Sequence, residues 1–199
     1  MQTITTDRPL NISKMSGKLD GFLAINTNTV TNEFCIKMKT TDTICGQCYS
    51  HRMLNTYRKS CQPSWQHNSD KLSARLLTDS EIPFTNSAYF RFHGHGELIN
   101  KTHYQNFIKI AEKNPGTSFA LWTKRKDLVR GIVPPKNLIL IYSNPTIDKV
   151  MDKQPAGFDK VFNNVDVPHA LENCTGQKCK TCLHCYTRAG VNVIIERVK

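Results

Sequence analysis

The sequence predicts an α/β fold, a parallel sheet of about six β/α units arranged as a partial, open TIM-like barrel with a C-terminal cysteine-rich loop. Three observations carry this expectation. Short apolar stretches alternate about six times with helical or long irregular segments, the pattern of parallel strands joined by right-handed crossovers. The stretch 137–142, Asn-Leu-Ile-Leu-Ile-Tyr, reads as a fully buried strand. The chemically distinctive residues follow strands rather than precede them, and parallel α/β folds gather binding and chemistry at strand carboxyl ends. An open doubly wound sheet fits the same alternation and stands as the alternative.

Taken in order, residues 1–20 are polar and turn-rich and form an irregular lead-in. The first strand is 22–26, short and apolar on both faces. A loop of about 18 residues follows, long for a compact domain, carrying Cys35 and ending in Cys45-Gly-Gln-Cys48-Tyr49. Residues 45–59 favour helix. Pro63 suits the first turn of the next helix, whose apolar side is marked by Trp65, Leu72 and Leu76. The aromatic run 87–92 is the second strand and leads into His93-Gly94-His95-Gly96-Glu97. Residues 102–114 form an amphipathic helix stopped by Asn114-Pro115-Gly116. Strand three is 118–122, followed by Thr123-Lys124-Arg125. A short helix at 127–132 precedes strand four. One helical turn is expected at 147–151, strand five at 159–162 and strand six at 191–195. The whole chain, 1–199, reads as a single domain without internal repeats.

Composition narrows the function classes. No apolar run approaches the roughly 20 residues of a membrane span, and no secretory pattern opens the chain. The expectation is a cytoplasmic protein with no membrane partner. In a reducing compartment, its eight cysteines read as metal ligands or redox groups rather than disulfides. A formal net charge of +11 suits a polyanion such as nucleic acid, although the cations are dispersed rather than in blocks.

Residues 174–186 form the cysteine-rich loop, Cys174-x4-Cys179-x2-Cys182-x2-Cys185-Tyr186. Three thiolates stepped every third residue match the ligation of an iron–sulfur cluster, a 4Fe-4S cluster above all. Zinc is the alternative, but its sites usually pair two distant C-x2-C knuckles to close a tetrahedron. Cys45 and Cys48 are expected to join the C-terminal cysteines around one cluster, or to support a second centre. Cys35 stays open as a further ligand, and Cys61 reads as a small buried hydrophobe. The glycines Gly94 and Gly96 let backbone approach a cofactor. Glu97 can accept from an amine or hydroxyl, and His93 and His95 can shuttle protons or bind metal. Lys124 completes the candidate catalytic set around an unidentified small-molecule substrate. Each of these also has a plain structural reading: a strained turn for the glycines, helix-start stabilisation for Glu97, a solvated cation for Lys124.

Beyond these readings, the chain resembles the gene product 88 family of phages and plasmids. The carrying residues are Ser13-Lys14-Met15, Gly17 through Gly21, Cys45-Gly-Gln-Cys48-Tyr49, Arg91-Phe92, Gly96-Glu97-Leu98, Thr123-Lys124 and the C-terminal cysteines. The resemblance implies a mobile-element protein, acting in a host cytoplasm, with the cysteines as cluster ligands. More distantly, the chain is similar to the radical S-adenosylmethionine core, a partial barrel with cluster cysteines after strand one and a Gly-Gly-Glu-type segment after strand two. That likeness implies S-adenosylmethionine as a cofactor, with Glu97 at its amine. Where that family's three-cysteine pattern needs its first cysteine, this sequence has Thr41. Two function classes follow: an iron–sulfur redox or radical-type enzyme, and a zinc-stabilised nucleic-acid-binding module. A thiol redox protein using Cys45 and Cys48 is a third.

Overall fold

The computed structural model describes residues 8–198; residues 1–7 of the expected lead-in lie outside them. The described residues contain a seven-stranded sheet whose spatial order equals chain order. The strands are β1 Ile12–Lys14, β2 Leu23–Ile25, β3 Tyr89–Phe92, β4 Ser118–Thr123, β5 Leu138–Ser143, β6 Lys160–Val165 and β7 Val193–Arg197. Strands β2 to β7 run parallel, and β1 pairs antiparallel with β2. The sheet is open, with β1 and β7 at its edges. Its order never reverses, so the doubly wound alternative is excluded, since that fold requires a reversal point.

Between the strands lie α1 Glu33–Lys39, α2 Tyr49–Asn55, α3 Gln62–Ala74, α4 Lys101–Lys113, α5 Lys126–Val129 and α6 Cys179–Cys182. Four expectations are corrected. The lead-in is not irregular throughout, because Ile12–Lys14 pairs along β2. The 18-residue loop contains α1, whose N-terminus is capped by the Asn32 side chain accepting from the Phe34 and Cys35 N–H groups. No helical turn forms at 147–151: Asp148 takes a left-handed conformation (φ 58°) and the Asn144 side chain donates to the Lys149 carbonyl at 2.7 Å. Leu76 also leaves the helix it was assigned to and is exposed.

Alternation along each strand divides the core between the sheet's two faces. Phe90, Phe92, Phe119, Leu121, Leu138 and Leu140 meet α3, α4 and α5 in the main cluster. There Phe92 stacks between Phe107, at 4.0 Å, and Phe119, at 4.8 Å. The opposite face carries Ala120, Ile139 and Ile141, covered by Phe22 and Tyr186, with Trp122 and Leu183 packed alongside. Among the described residues, no helix of crossover length packs into that second cluster. Its apolar surface is closed by residue 22 and by the cysteine-rich loop. Both β5 faces are therefore buried, and the strand is apolar throughout up to its final Ser143.

Candidate functional site

Beyond the carboxyl ends of the parallel strands lies a cavity of about 800 Å³. It is entered by Asn26 after β2, by His93 to Glu97 after β3, by Lys124 after β4, by Ser143 of β5 and by Asn164 of β6. Cys45 and Cys48 form one part of its wall, and Cys174, Cys179 and Cys185 form another. The fold thus brings ligands expected from sequence, though far apart in the chain, onto one chamber.

The segment after β3 is built on the end of β2. Asn26 Oδ1 accepts from the His95 N–H at 2.8 Å, and the Thr27 N–H donates to the His95 carbonyl at 3.0 Å. A Cβ on Gly94 would lie 2.6 Å from Asn26 Oδ1, and one on Gly96, at φ 127°, would strike Thr27. Both glycines are thus required by the packing of the turn itself. His93 also sits at positive φ, 60°.

Glu97 is 5% exposed. Its carboxylate accepts from the Leu98 N–H at 2.8 Å, the Thr123 hydroxyl at 2.5 Å and the Lys124 N–H at 2.9 Å. It ties the end of β3 to the end of β4. Lys124 Nζ donates to Ser143 Oγ at 2.9 Å, extending the same chain of contacts to β5. His95 stacks on Trp65 at 4.9 Å, with the Tyr49 ring 6.0 Å away. Burial, aided by the Arg91 and Arg58 cations, lowers His95 to about 4. Burial lowers His93 to about 3. The Trp122 carbonyl favours its protonation, yet neither ring nitrogen meets a partner within hydrogen-bond geometry. The His93 ring packs edge-on against His103 at 5.1 Å and Phe107 at 5.1 Å. Both histidines are neutral at physiological pH.

The C-terminal cysteines are set by a short, heavily pinned loop. The Cys174 N–H donates to the Ile195 carbonyl at 3.0 Å, and Asn173 brackets β7 through the Val193 carbonyl and the Ile195 N–H. Leu183 ends α6 in the left-handed region (φ 54°). That reversal delivers Cys185 and Tyr186 onto the sheet, where Tyr186 meets Phe22 at 4.7 Å. All four thiols border a small inner cavity of about 30 Å³. Burial pushes Cys174 up to about 11 and Cys185 up to about 12. Without a positive centre, these thiols stay protonated. A bound cation is what would hold them as thiolates.

The two cysteine groups keep separate company. The electrostatic neighbours of Cys185 are Arg91, Cys174, Cys179 and Cys182. Those of Cys35 are Glu97, Cys48, Cys45 and Lys124. All eight cysteines are free thiols. Among the described residues, no three His, Cys, Asp or Glu side chains converge closely enough to hold one metal ion. Cys61 packs against Met53, Leu54 and Trp65, as a small hydrophobe does.

The cavity wall is predominantly cationic. Lys14, Arg58, Arg91 and Lys124 line it, against Glu97 and Glu196. Glu97 is fully engaged, and Glu196 pairs with Lys18. Arg91, quoted for the family resemblance but given no site role from the sequence, lies 3.9 Å above the Trp122 ring and donates to the His93 carbonyl at 3.2 Å. A lone arginine inside the aromatic run Tyr-Phe-Arg-Phe was the available signal, since alternation puts it on the face opposite Phe90 and Phe92.

Fold and site together define an open, mostly parallel α/β protein with a cationic, cysteine-walled chamber at the carboxyl ends of its strands. The chain matches the family described as Gene product 88 over residues 24–188, and it belongs to that family. Neither a curated protein nor a solved structure gave a match.

Proposed function

We propose that this protein binds an iron–sulfur cluster through Cys174, Cys179, Cys182 and Cys185. The cluster serves a redox or radical-type reaction on a small molecule held in the adjoining chamber, and the chain is a phage-type product acting in the cytoplasm of its host. The observation that carries the reading is the inner cavity bordered by all four thiols and opening beside the larger chamber. The metal donors bordering that cavity are the four thiols and the His184 imidazole, a set that suits iron–sulfur clusters or zinc. Zinc sites usually pair two distant C-x2-C knuckles, whereas three of these ligands come from one C-x2-C-x2-C run. A four-iron cluster spreads its ligands over a wider perimeter, and the surrounding cations offset its negative charge.

The parallel strands in unbroken chain order support reading the sheet as a partial, TIM-like barrel of β/α units whose mouth is the chamber. S-adenosylmethionine is a candidate ligand there. Its amine would have to share a Glu97 carboxylate already engaged by three donors. His95, Lys124 and Arg91 are the groups placed to position a substrate. Purification without oxygen should give a brown protein with iron and acid-labile sulfide in equal amounts. A colourless, iron-free protein would overturn the proposal.

The net charge of +11 favours a second reading, a zinc-stabilised module that binds nucleic acid. It requires stoichiometric zinc and an affinity that falls steeply with salt. Salt-independent binding would remove it. No helix among the described residues is long and apolar enough to cross a membrane.

A further inference from the structure

The chamber at the strand ends carries more positive charge than its own carboxylates answer. Lys14, Lys18, Arg58, Arg91 and Lys124 line it, against Glu97 and Glu196. Two of these cations are accounted for. Lys18 pairs with Glu196. Arg91 is an electrostatic neighbour of Cys179 and Cys185, so its charge falls on the quartet. Lys14, Arg58 and Lys124 remain against Glu97 alone, a surplus of two positive charges. None of the three forms an ion pair among the described residues. Arg58 and Lys14 are exposed, whereas Lys124 is half-buried. A cation drawn partly out of water without a counter-ion is costly to hold. Lys124 Nζ donates to Ser143 Oγ at 2.9 Å. That leaves two ammonium hydrogens and the Ser143 hydroxyl proton for a ligand. Both donors are set by the sheet, since Lys124 follows β4 and Ser143 ends β5, strands paired through Thr123 and Tyr142. Thr29 adds a further polar group. It is 2% exposed and lines the chamber, and its hydroxyl meets no partner among the described residues.

We propose that the chamber takes a phosphate monoester with a planar base, a mononucleotide either free or at the end of a strand, and holds its phosphate on Lys124 and Ser143. The proposal rests on the reading of the chamber as a small-molecule site and does not need the cluster. At neutral pH a phosphate monoester carries a charge of about −1.5 to −2 on three acceptor oxygens. That matches both the surplus charge and the spare donors, whereas a carboxylate brings a single charge. The cavity of about 800 Å³ lies in the size range of small-molecule sites. Its wall also supplies a surface for the base. Tyr49 lines it and is 52% exposed, an aromatic ring left largely uncovered. Trp122 offers a second ring, with Arg91 over one of its faces. Stacking on aromatic side chains suits any base, so the geometry selects the class of ligand and leaves the base open.

Calorimetric titration of the full chain, purified without oxygen, with thymidine 5′-phosphate and with thymidine tests this. The phosphate should raise affinity by about ten- to a hundredfold. Equal affinities would overturn the proposal without recourse to any variant. Lys124→Ala should bring the nucleotide down to the level of thymidine, and Ser143→Ala should lose part of the same gain. Lys126→Ala, two positions on but outside the chamber wall, should bind as the wild type does. An equal loss in Lys126→Ala would reduce the effect to diffuse surface charge and overturn the site. Phenyl phosphate should bind more tightly than benzoate; the reverse order would overturn the choice of phosphate over carboxylate. A 5′-phosphorylated oligonucleotide assigns the source. If it outbinds both the free nucleotide and its own unphosphorylated form, the ligand is a strand end; if the free nucleotide binds more tightly, the ligand is the free form. Iron measured on the same samples keeps the two proposals apart. Iron-free protein that discriminates nucleotide from nucleoside keeps this inference and removes the cluster. Iron-loaded protein that does not discriminate removes this inference alone.

Discussion

Glu97 accepts three hydrogen bonds while almost wholly buried, and this makes it a strand tie as much as a candidate ligand. Glu97→Gln would replace an acceptor oxygen with an amide donor facing an N–H or hydroxyl, at a cost of roughly 1–3 kcal/mol. The urea midpoint of the apoprotein should fall with little change in slope. An unchanged midpoint would mean that the carboxylate is free to serve a ligand alone. Gly96→Ala tests the neighbouring turn. Its φ of 127° and the collision with Thr27 should cost about 1–3 kcal/mol. Gly116→Ala, facing open space, should stay within about 0.5 kcal/mol. The His-Gly-His-Gly-Glu segment was legible because glycines punctuate it so sharply. What the sequence could not tell was which neighbour required them, because Asn26 and Thr27 are some seventy positions away and only the parallel pairing of β2 with β3 brings them close.

Helices α3 and α4 are fastened by one amide. Asn106, fully buried, donates to the Leu72 and Arg75 carbonyls at 2.8 Å and accepts from the Leu77 N–H at 2.8 Å. Asn106→Ala would strand three backbone groups in the core and should cost more than a typical core polar substitution, about 3 kcal/mol or above. Thermal unfolding followed by circular dichroism would measure it, and a loss under about 1 kcal/mol would show that water enters the gap. The six parallel strands were readable as elements because each contains a short apolar or aromatic run, although β6 continues through Asn163 and Asn164 to Val165, beyond the expected end at 162. Strand β1 was not, since Ile12–Lys14 has only three residues and gains its strand character from β2. Helix α1 did leave a signal in Asn32, Glu33 and the lysines at 37 and 39, which cap and charge its two ends. Its seven residues bury none of their own, so no apolar periodicity announced it.

For the molecule as a whole, two buried imidazoles and one half-buried one set an acid limit. Burial lowers His93 to about 3 and His95 to about 4, and holds His103 well below its ordinary value. An unfolded chain protonates these groups near pH 6.5, so below that point unfolding takes up protons that the fold refuses. Their contribution is complete above about pH 6.5 and is lost as pH falls toward 4. The slope approaches 1.4 kcal/mol per pH unit for each fully buried ring and is smaller for the half-buried His95. Melting temperatures measured in steps from neutral pH to about pH 4.5 should decline steadily, and a flat profile would remove the claim. The site was legible as a set of residues following strands, whereas its division into two cysteine neighbourhoods depended on the path of α1 and the reversal at Leu183. That reversal also bears on biosynthesis. Tyr186 and the loop before it cover Ala120, Ile139 and Ile141 together with Phe22, and they leave the ribosome after nearly every strand has been made. Until then the nascent sheet shows water a greasy flank. High-level production should therefore benefit from slow, cool expression or added chaperones, and stopping translation ahead of Tyr186 should give insoluble protein.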